Sequence, residues 1–298
     1  MSDERAFIEA LRRIAGTPAA RGLADDCAVF DMGERALVLT HDMMVEGVHW
    51  LPGQAMHDVA WKLVAVNLSD LAAKGATPLG ILVGHTLGED DAGFLAGLEE
   101  ASDTLGAPLW GGDTVSHHGG ARTLGLTAIG QTEHRPVPSR GGAKPGDAVC
   151  ITGPVGGAMI GFESLRDEGD TPDNRRVTQP YRRPTPLLSE GRALAPLASA
   201  IMDVSDGLLL DASRMAEASG VTLALDRAAI PIAAPEDRRD EALRWGDDYQ
   251  LLFTVSPEVE LPIPAHRIGV VHERGEHAVL LDGEPVSGAP GYEHRRAH

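Results

Sequence analysis

Lysine, cysteine and aromatic residues are all scarce in this chain, and each scarcity excludes something. Lys62, Lys74 and Lys144 are the only lysines, so arginine carries most of the positive charge. Acidic residues outnumber basic ones 44 to 26, giving a formal net charge of -18. That balance argues against any general affinity for nucleic acid or an anionic membrane surface. Solubility alone is one reading of the excess; carboxylates used as ligands is another. Cys27 and Cys150 each sit in an apolar, strand-like run with no CxxC spacing. They read as buried free thiols, which suits a reducing cytoplasm. No apolar run approaches the ~18 residues of a membrane span. The opening MSDERAFIEALRRIAG reads as an amphipathic helix too charged for a signal peptide. Neither GxxxxGK[ST] nor a kinase HRD and DFG set occurs, which removes the P-loop and protein-kinase classes.

What the chain does have is a set of short acidic motifs: ADDCAVF, THDMMVEGVH, NLSDLAAKGATP, LWGGDT, MDVSDGLLLD and WGDDYQLLF. They set Asp beside Gly, Ser, Thr or Asn at what read as strand or helix ends. Hard oxygen ligands without His or Cys support suit Mg²⁺, which is held by few carboxylates together with substrate phosphates. Bound Mg²⁺ also explains how an acidic protein could accept a nucleotide, because the ion inverts the local charge.

At 298 residues with 43% hydrophobic content, the chain can build two domains or one large one. Strand-like runs at 36–40, 80–86 and 123–130 alternate with helical patterns at 57–75 and 90–105. A Pro- and Gly-rich stretch at 132–147 reads as a linker. Beyond it come strands at 148–152, near Met202, and at 221–225, 249–255 and 267–271, with helices at 156–168, 187–198 and 207–218. Strand and helix alternate in both halves, which indicates two α/β domains, placed at 1–135 and 136–298. Residues 166–186 read as a long polar loop.

Each motif has a plainer alternative. Asn67 and Asp70 share a helix face, as ligands or as a solvated edge. Asp203 at a strand end, with Ser205 and Asp206 at a helix start, suits a ligand site in an α/β sheet. Ser and Asp are equally ordinary N-caps. Thr40 and Asp42 fall just beyond the ALVLT strand. His49 has no partner visible in sequence. LWGGDT reads as a Gly-Gly turn presenting backbone N–H groups, with Asp113 and Thr114 following. Arg140 suits bidentate phosphate contact; Lys144 suits a solvated linker equally well.

Together and in order, these motifs resemble the thiamine-monophosphate kinase family, of the superfamily that includes aminoimidazole ribonucleotide synthetase and selenophosphate synthetase. The family pattern runs GDDCA, S/T-T-D-x-x-V-x-G-x-H, NLSDLAAMGA, GGDT, RSGAKPGD, D-x-SDGL and GGEDYEL. The resemblance spans roughly residues 22 to 292.

It implies ATP-dependent phosphorylation of thiamine monophosphate to thiamine diphosphate, assisted by several Mg²⁺ ions. It also implies two α/β domains of the aminoimidazole ribonucleotide synthetase-like type and a homodimer formed through the N-terminal sheet. Asp26, Thr40, Asp42, Asp70, Asp113, Asp203 and Asp206 would be metal ligands. Gly112, Asp113, Arg140 and Ser205 would touch ATP, and Asp70, Asp113, Arg140 and Asp206 would carry catalysis. His49, Asp247 and Tyr292 would line the thiamine phosphate pocket.

Three departures stand out: Ala24 for Gly in GDDCA, His41 where Thr is usual, and WGDDYQL for GGEDYEL. No metal role is carried over to His41. Trp245 and Asp247 bear on substrate identity more than on chemistry. The alternatives are another ATP-dependent kinase or synthetase of this superfamily, or a non-catalytic nucleotide- or thiamine phosphate-binding protein. The reactive Cys of a selenophosphate synthetase is missing, and no EF-hand-like loop suggests a Ca²⁺-stabilised structural protein.

Overall fold

A computed structural model describes residues 3–294. The N-terminal half comprises α1 (Asp3–Arg12), β1 (Ala28–Asp31), β2 (Ala36–Val45), α2 (Met56–Ala73), β3 (Thr77–Thr86), α3 (Asp91–Leu105), β4 (Leu109–Val115) and β5 (Thr123–Thr132). Its strands form one mixed sheet in the order β1-β2-β5-β3-β4. The C-terminal half comprises β6 (Ala148–Ile151), α4 (Gly157–Glu168), α5 (Arg175–Arg182), α6 (Leu188–Leu194), β7 (Ala200–Asp203), α7 (Leu208–Ser219), β8 (Val221–Leu225), α8 (Arg239–Ala242), β9 (Leu251–Val255), β10 (His266–Glu273), β11 (Val279–Leu281) and β12 (Glu284–Pro285). Its sheet runs β12-β11-β8-β10-β6-β9-β7.

Helix α2 links the two halves. It packs on β2, β3, β5 and α3 of its own half, and on α5, α6 and β7 of the other. It is therefore buried around its whole circumference, with His57 as its one residue outside the interior. A solvated edge for Asn67 and Asp70 is thus excluded. Close approach on the C-terminal side depends on glycine: a Cβ on Gly191 would come 1.9 Å from the Ala72 carbonyl oxygen. An α2 side chain that is polar needs a partner in this setting. Asp58 pairs with Arg182, and Trp61 Nε1 donates to Pro184 O at 3.0 Å.

Three local expectations are corrected. Strand β2 continues to Val45, so Thr40 and Asp42 lie within it. Residues 109–115 form an edge strand, exposed throughout, not a turn. Gly112 is needed there because β4 lies tight against β3: a Cβ would meet Val83 O at 1.9 Å. The stretch 166–186 contains helix α5, whose Thr178, Tyr181 and Arg182 are buried.

Candidate active site

A cavity of about 780 Å³ lies where α2, β2 and β7 meet the loops after β7 and α8. Strand alternation on β2 sends Thr40 and Asp42 to the same side. His41 lies exposed on the other, its Nδ1 2.9 Å from Thr127 Oγ1. Asn67 aligns the two elements: its Oδ1 accepts from the Asp42 backbone N–H at 3.0 Å, and its Nδ2 donates to Leu63 O at 2.9 Å. Asp70 follows one turn later and accepts from the Thr40 hydroxyl. Asp203 ends β7.

One carboxylate oxygen from each of Asp26, Asp70 and Asp203 lies within 4.8 Å of the others. Asp42 and Asp206 line the same cavity.

The electrostatics divide these carboxylates. Burial, then the charges of Asp42 and Asp203, push Asp70 well above the usual carboxylate range. Burial and Asp26 push Asp203 up to about 8; burial, Asp26 and Asp206 push Asp42 up to about 6. Burial acts on Asp26 in the same direction, but Arg140 and Lys74 beside it outweigh that and hold it low. A crowd of buried oxygens whose deprotonation is opposed by like charge is a fitting seat for a hard cation.

Ser205 and Asp206 do not cap α7, which starts at Leu208 behind Gly207. Their backbone N–H groups donate to Asp211 Oδ2 at 3.1 and 3.0 Å, and Arg214 joins Asp206 to Asp211. Arg140 pairs with Asp26, while its buried Nε lacks an acceptor among the described residues.

Toward the other end, Lys62 Nζ lies 2.9 Å from both Asp247 Oδ2 and His49 O, and 4.0 Å from the Tyr181 ring centroid. Tyr249 donates its hydroxyl to Asp247 Oδ1 at 2.9 Å. Phe162 stands between Tyr181 and Trp245, with ring centroids 5.3 and 5.4 Å away. His49 Nδ1 accepts from the Val45 N–H at 3.0 Å, which leaves an Nε2–H donor, and burial lowers its pKa. Tyr292 also lines the cavity, and its N–H donates to Asp206 O at 2.9 Å. The neighbouring Asp248 is structural: it accepts from Gly156 and Ala158 N–H groups at the start of α4.

The structure thus brings Asp26, Asp42, Asp70, Asp203, Ser205, Asp206, Arg140, His49, Asp247 and Tyr292 to one cavity wall, with Thr40 directly behind Asp70. Gly112 and Asp113 are not part of that wall; they lie on exposed β4, where Asp113 Oδ1 accepts from Thr114 N–H at 2.9 Å. Four contributors escaped the sequence reading: Asp25, Lys62, Lys74 and Asp211. Asp25, Lys74 and Asp211 stood inside quoted motifs, and the scarcity of lysine was the available signal for Lys62.

Residues 24–132 match the AIR synthase related protein N-terminal domain, and residues 144–282 match the C-terminal domain of the same family. The fold class is therefore two α/β domains of that type. Thiamine-monophosphate kinase of Escherichia coli (strain K12) is 35% identical, aligned over 92% of this chain and 91% of that protein. The structure of AaThiL complexed with AMPPCP and TMP superposes with a TM-score of 0.85 at 30% identity, covering 96% of this chain and 95% of that one. The thiamine-monophosphate kinase of Stenotrophomonas maltophilia K279a gives 0.77 at 30% identity, covering 94% and 96%. This chain belongs to the thiamine-monophosphate kinase family.

Proposed function

We propose that the protein transfers the γ-phosphoryl group of ATP to the phosphate of thiamine monophosphate, forming thiamine diphosphate and ADP. The convergence of Asp26, Asp42, Asp70, Asp203 and Asp206 on one cavity carries the reading. A relative solved with AMPPCP and TMP supports the pair of substrates.

An acceptor phosphate oxygen attacks the γ-phosphorus in line, and the bond to the β-phosphate oxygen of ADP breaks. The acceptor is already anionic near neutral pH, so no general base is required. Repulsion between two polyanions is the main obstacle. Several Mg²⁺ ions, when bound, would supply charge neutralisation and a template for in-line transfer.

The all-oxygen donor set of Asp26, Asp42, Asp70, Asp203 and Asp206 would hold them. Thr40 orients the Asp70 carboxylate by its hydrogen bond. Arg140, with its free Nε–H, and Ser205 are positioned for the nucleotide phosphates. His49 offers Nε2–H to the acceptor phosphate, and Tyr181, Phe162 and Trp245 provide flat faces for an aromatic cation.

We place the working unit as a homodimer joined through the N-terminal sheet. Leu109, Trp110 and Val115 on β4, with Phe30 on β1, Met43 on β2 and Met32 just beyond β1, are exposed apolar side chains on and beside this sheet. Any contact of Gly112 and Asp113 with ATP then depends on that assembly. No helix among the described residues is long and apolar enough to cross a membrane; from the two buried free cysteines, which suit a reducing compartment, we infer a cytoplasmic location.

Incubation with ATP, Mg²⁺ and thiamine monophosphate should yield thiamine diphosphate and ADP in equal amounts. Binding of both ligands without turnover would favour a non-catalytic binding protein and reject the kinase reading.

A further inference from the structure

Lys74 follows the last turn of α2, and its side chain is wholly buried. Its Nζ lies 2.5 Å from Asp25 Oδ1, 2.7 Å from Asp26 Oδ2 and 3.5 Å from Ile201 O. An ammonium has three N–H donors and no acceptor. All three are committed to protein oxygens, so Lys74 has none left for a substrate. The two carboxylates are almost as deeply enclosed, at 3% and 5% side-chain exposure. Arg21 completes the pairing of Asp25, and Arg140 takes the other oxygen of Asp26.

The location gives this pair its interest. Asp26 belongs to the cluster with Asp70 and Asp203, and Asp25 and Asp26 both line the cavity. A cation lodged between two adjacent carboxylates at such a wall occupies the position a divalent ion would otherwise compete for. Unlike that ion, an ammonium on a side chain cannot dissociate.

We propose that Lys74 stands in for one divalent cation, fixing the Asp25–Asp26 side of the cluster so that metal ions bind on the Asp42–Asp70–Asp203–Asp206 side. The proposal rests on the cation-binding reading of the cavity given above. With its three N–H groups spent on the Asp25, Asp26 and Ile201 oxygens, Lys74 is a positioning residue. It presets the Asp26 carboxylate, while Asp42, Asp70 and Asp203 remain available to take metal.

The test counts Mn²⁺ bound per chain by electron paramagnetic resonance, using the full chain with a non-hydrolysable ATP analogue. Lys74→Met, close in shape and uncharged, should bind one ion more than the unmodified protein. Asp70→Asn should bind fewer. In the absence of metal, Lys74→Met should melt lower than the unmodified protein, and Mg²⁺ should raise its melting temperature by more. An unchanged ion count in folded Lys74→Met overturns the role given to Lys74; a loss of ions in Asp70→Asn would then still leave the cation-binding reading standing. Absence of Mn²⁺ binding in the unmodified protein overturns both. If Lys74→Met does not fold, anomalous scattering from Mn²⁺ in crystals of the unmodified protein decides. A peak between the Asp25 and Asp26 carboxylates overturns the proposal, and peaks confined to the Asp70 and Asp203 side support it.

Discussion

Around Asp70 the cavity wall is a crowd of carboxylates, whereas around Lys62 it is a matched ion pair set among aromatic rings. Asp42, Asp70 and Asp203 all have their pKa values raised, by burial first and by one another second. Lys62 and Asp247 instead face each other at 2.9 Å, with a tyrosine hydroxyl donating to Asp247 and a backbone carbonyl accepting from Lys62. One end gathers like charges that oppose one another's ionisation. The other pairs opposite charges and offers shape and flat rings. This division matches a reaction in which phosphates gather at one end and an organic cation rests at the other.

The largest effect should come from breaking the crowded end. Asp70→Asn should lower turnover on the order of a hundredfold or more, because charge stabilisation of the transferring phosphoryl group is weakened. The metal-free protein should become more stable, since a buried carboxyl whose ionisation is opposed by burial, Asp42 and Asp203 is removed. Steady-state rates and thermal melts without Mg²⁺ check both halves. Near-normal turnover would reject the cluster as the seat of catalysis.

The same crowding has a pH signature. The carboxyls of Asp42 and Asp203 have folded pKa values of about 6 and about 8, above the ordinary 3.8. Over that interval the folded protein binds more protons than the unfolded chain. Their contribution to metal-free stability is therefore fully present below the ordinary value and is lost as pH rises through the folded ones. Mg²⁺ prefers the deprotonated ligands. The rise in melting temperature on adding Mg²⁺ should accordingly grow as pH increases from about 5 to about 8. A flat response would show that these carboxylates do not receive the ion.

At the balanced end the expected loss is structural. Asp247→Asn leaves the buried Lys62 ammonium without its counter-charge. Breaking one partner of a buried pair costs about 3 kcal/mol or more, reduced here because Asp247 retains some solvent contact and Lys62 keeps the His49 carbonyl. Denaturant unfolding should register the loss, while the Mg²⁺ dependence of turnover stays in place. A shifted Mg²⁺ requirement would mean that the two ends are not electrically separate.

The acidic end was more legible in sequence than the balanced one, for a physical reason. Asp26, Asp42, Asp70, Asp203 and Asp206 each announce themselves through a local setting of small and polar neighbours. Lys62 and Lys74 do not, because a lysine in or beside a helix ordinarily projects into solvent. Only the packing of α2 between two domains forces these two inward. Helix α5 was missed because RRVTQPYR is polar and contains Pro180; its burial comes from pairs such as Arg182 with Asp58, contributed by distant chain. Strand β4 was missed because paired glycines signal a turn until a neighbouring strand is known to require their lack of a side chain. Alternation of strand and helix still sufficed to indicate two α/β domains, since that pattern is local.

The smallest effect, and the sharpest test of the division, concerns Trp245 and Asp247 together. Trp245 stacks near Phe162, which reaches Tyr181, the ring beneath Lys62. The tryptophan therefore helps set the width of the end that holds the rings. Asp247 holds the Lys62 ammonium at 2.9 Å, and both line the cavity. A glutamate there, longer by one methylene, displaces the carboxylate by about 1.5 Å, enough to exchange a direct hydrogen bond for another partner or a bridging water. The double variant Trp245→Gly with Asp247→Glu should consequently lower the KM for thiamine monophosphate by several-fold, a contact-sized effect. The KM for ATP and the Mg²⁺ requirement should move less. Single variants belong in the same experiment, because residues sharing one pocket need not act additively. If the double variant shifts ATP or Mg²⁺ dependence and leaves the acceptor unaffected, the two ends have been assigned the wrong way round.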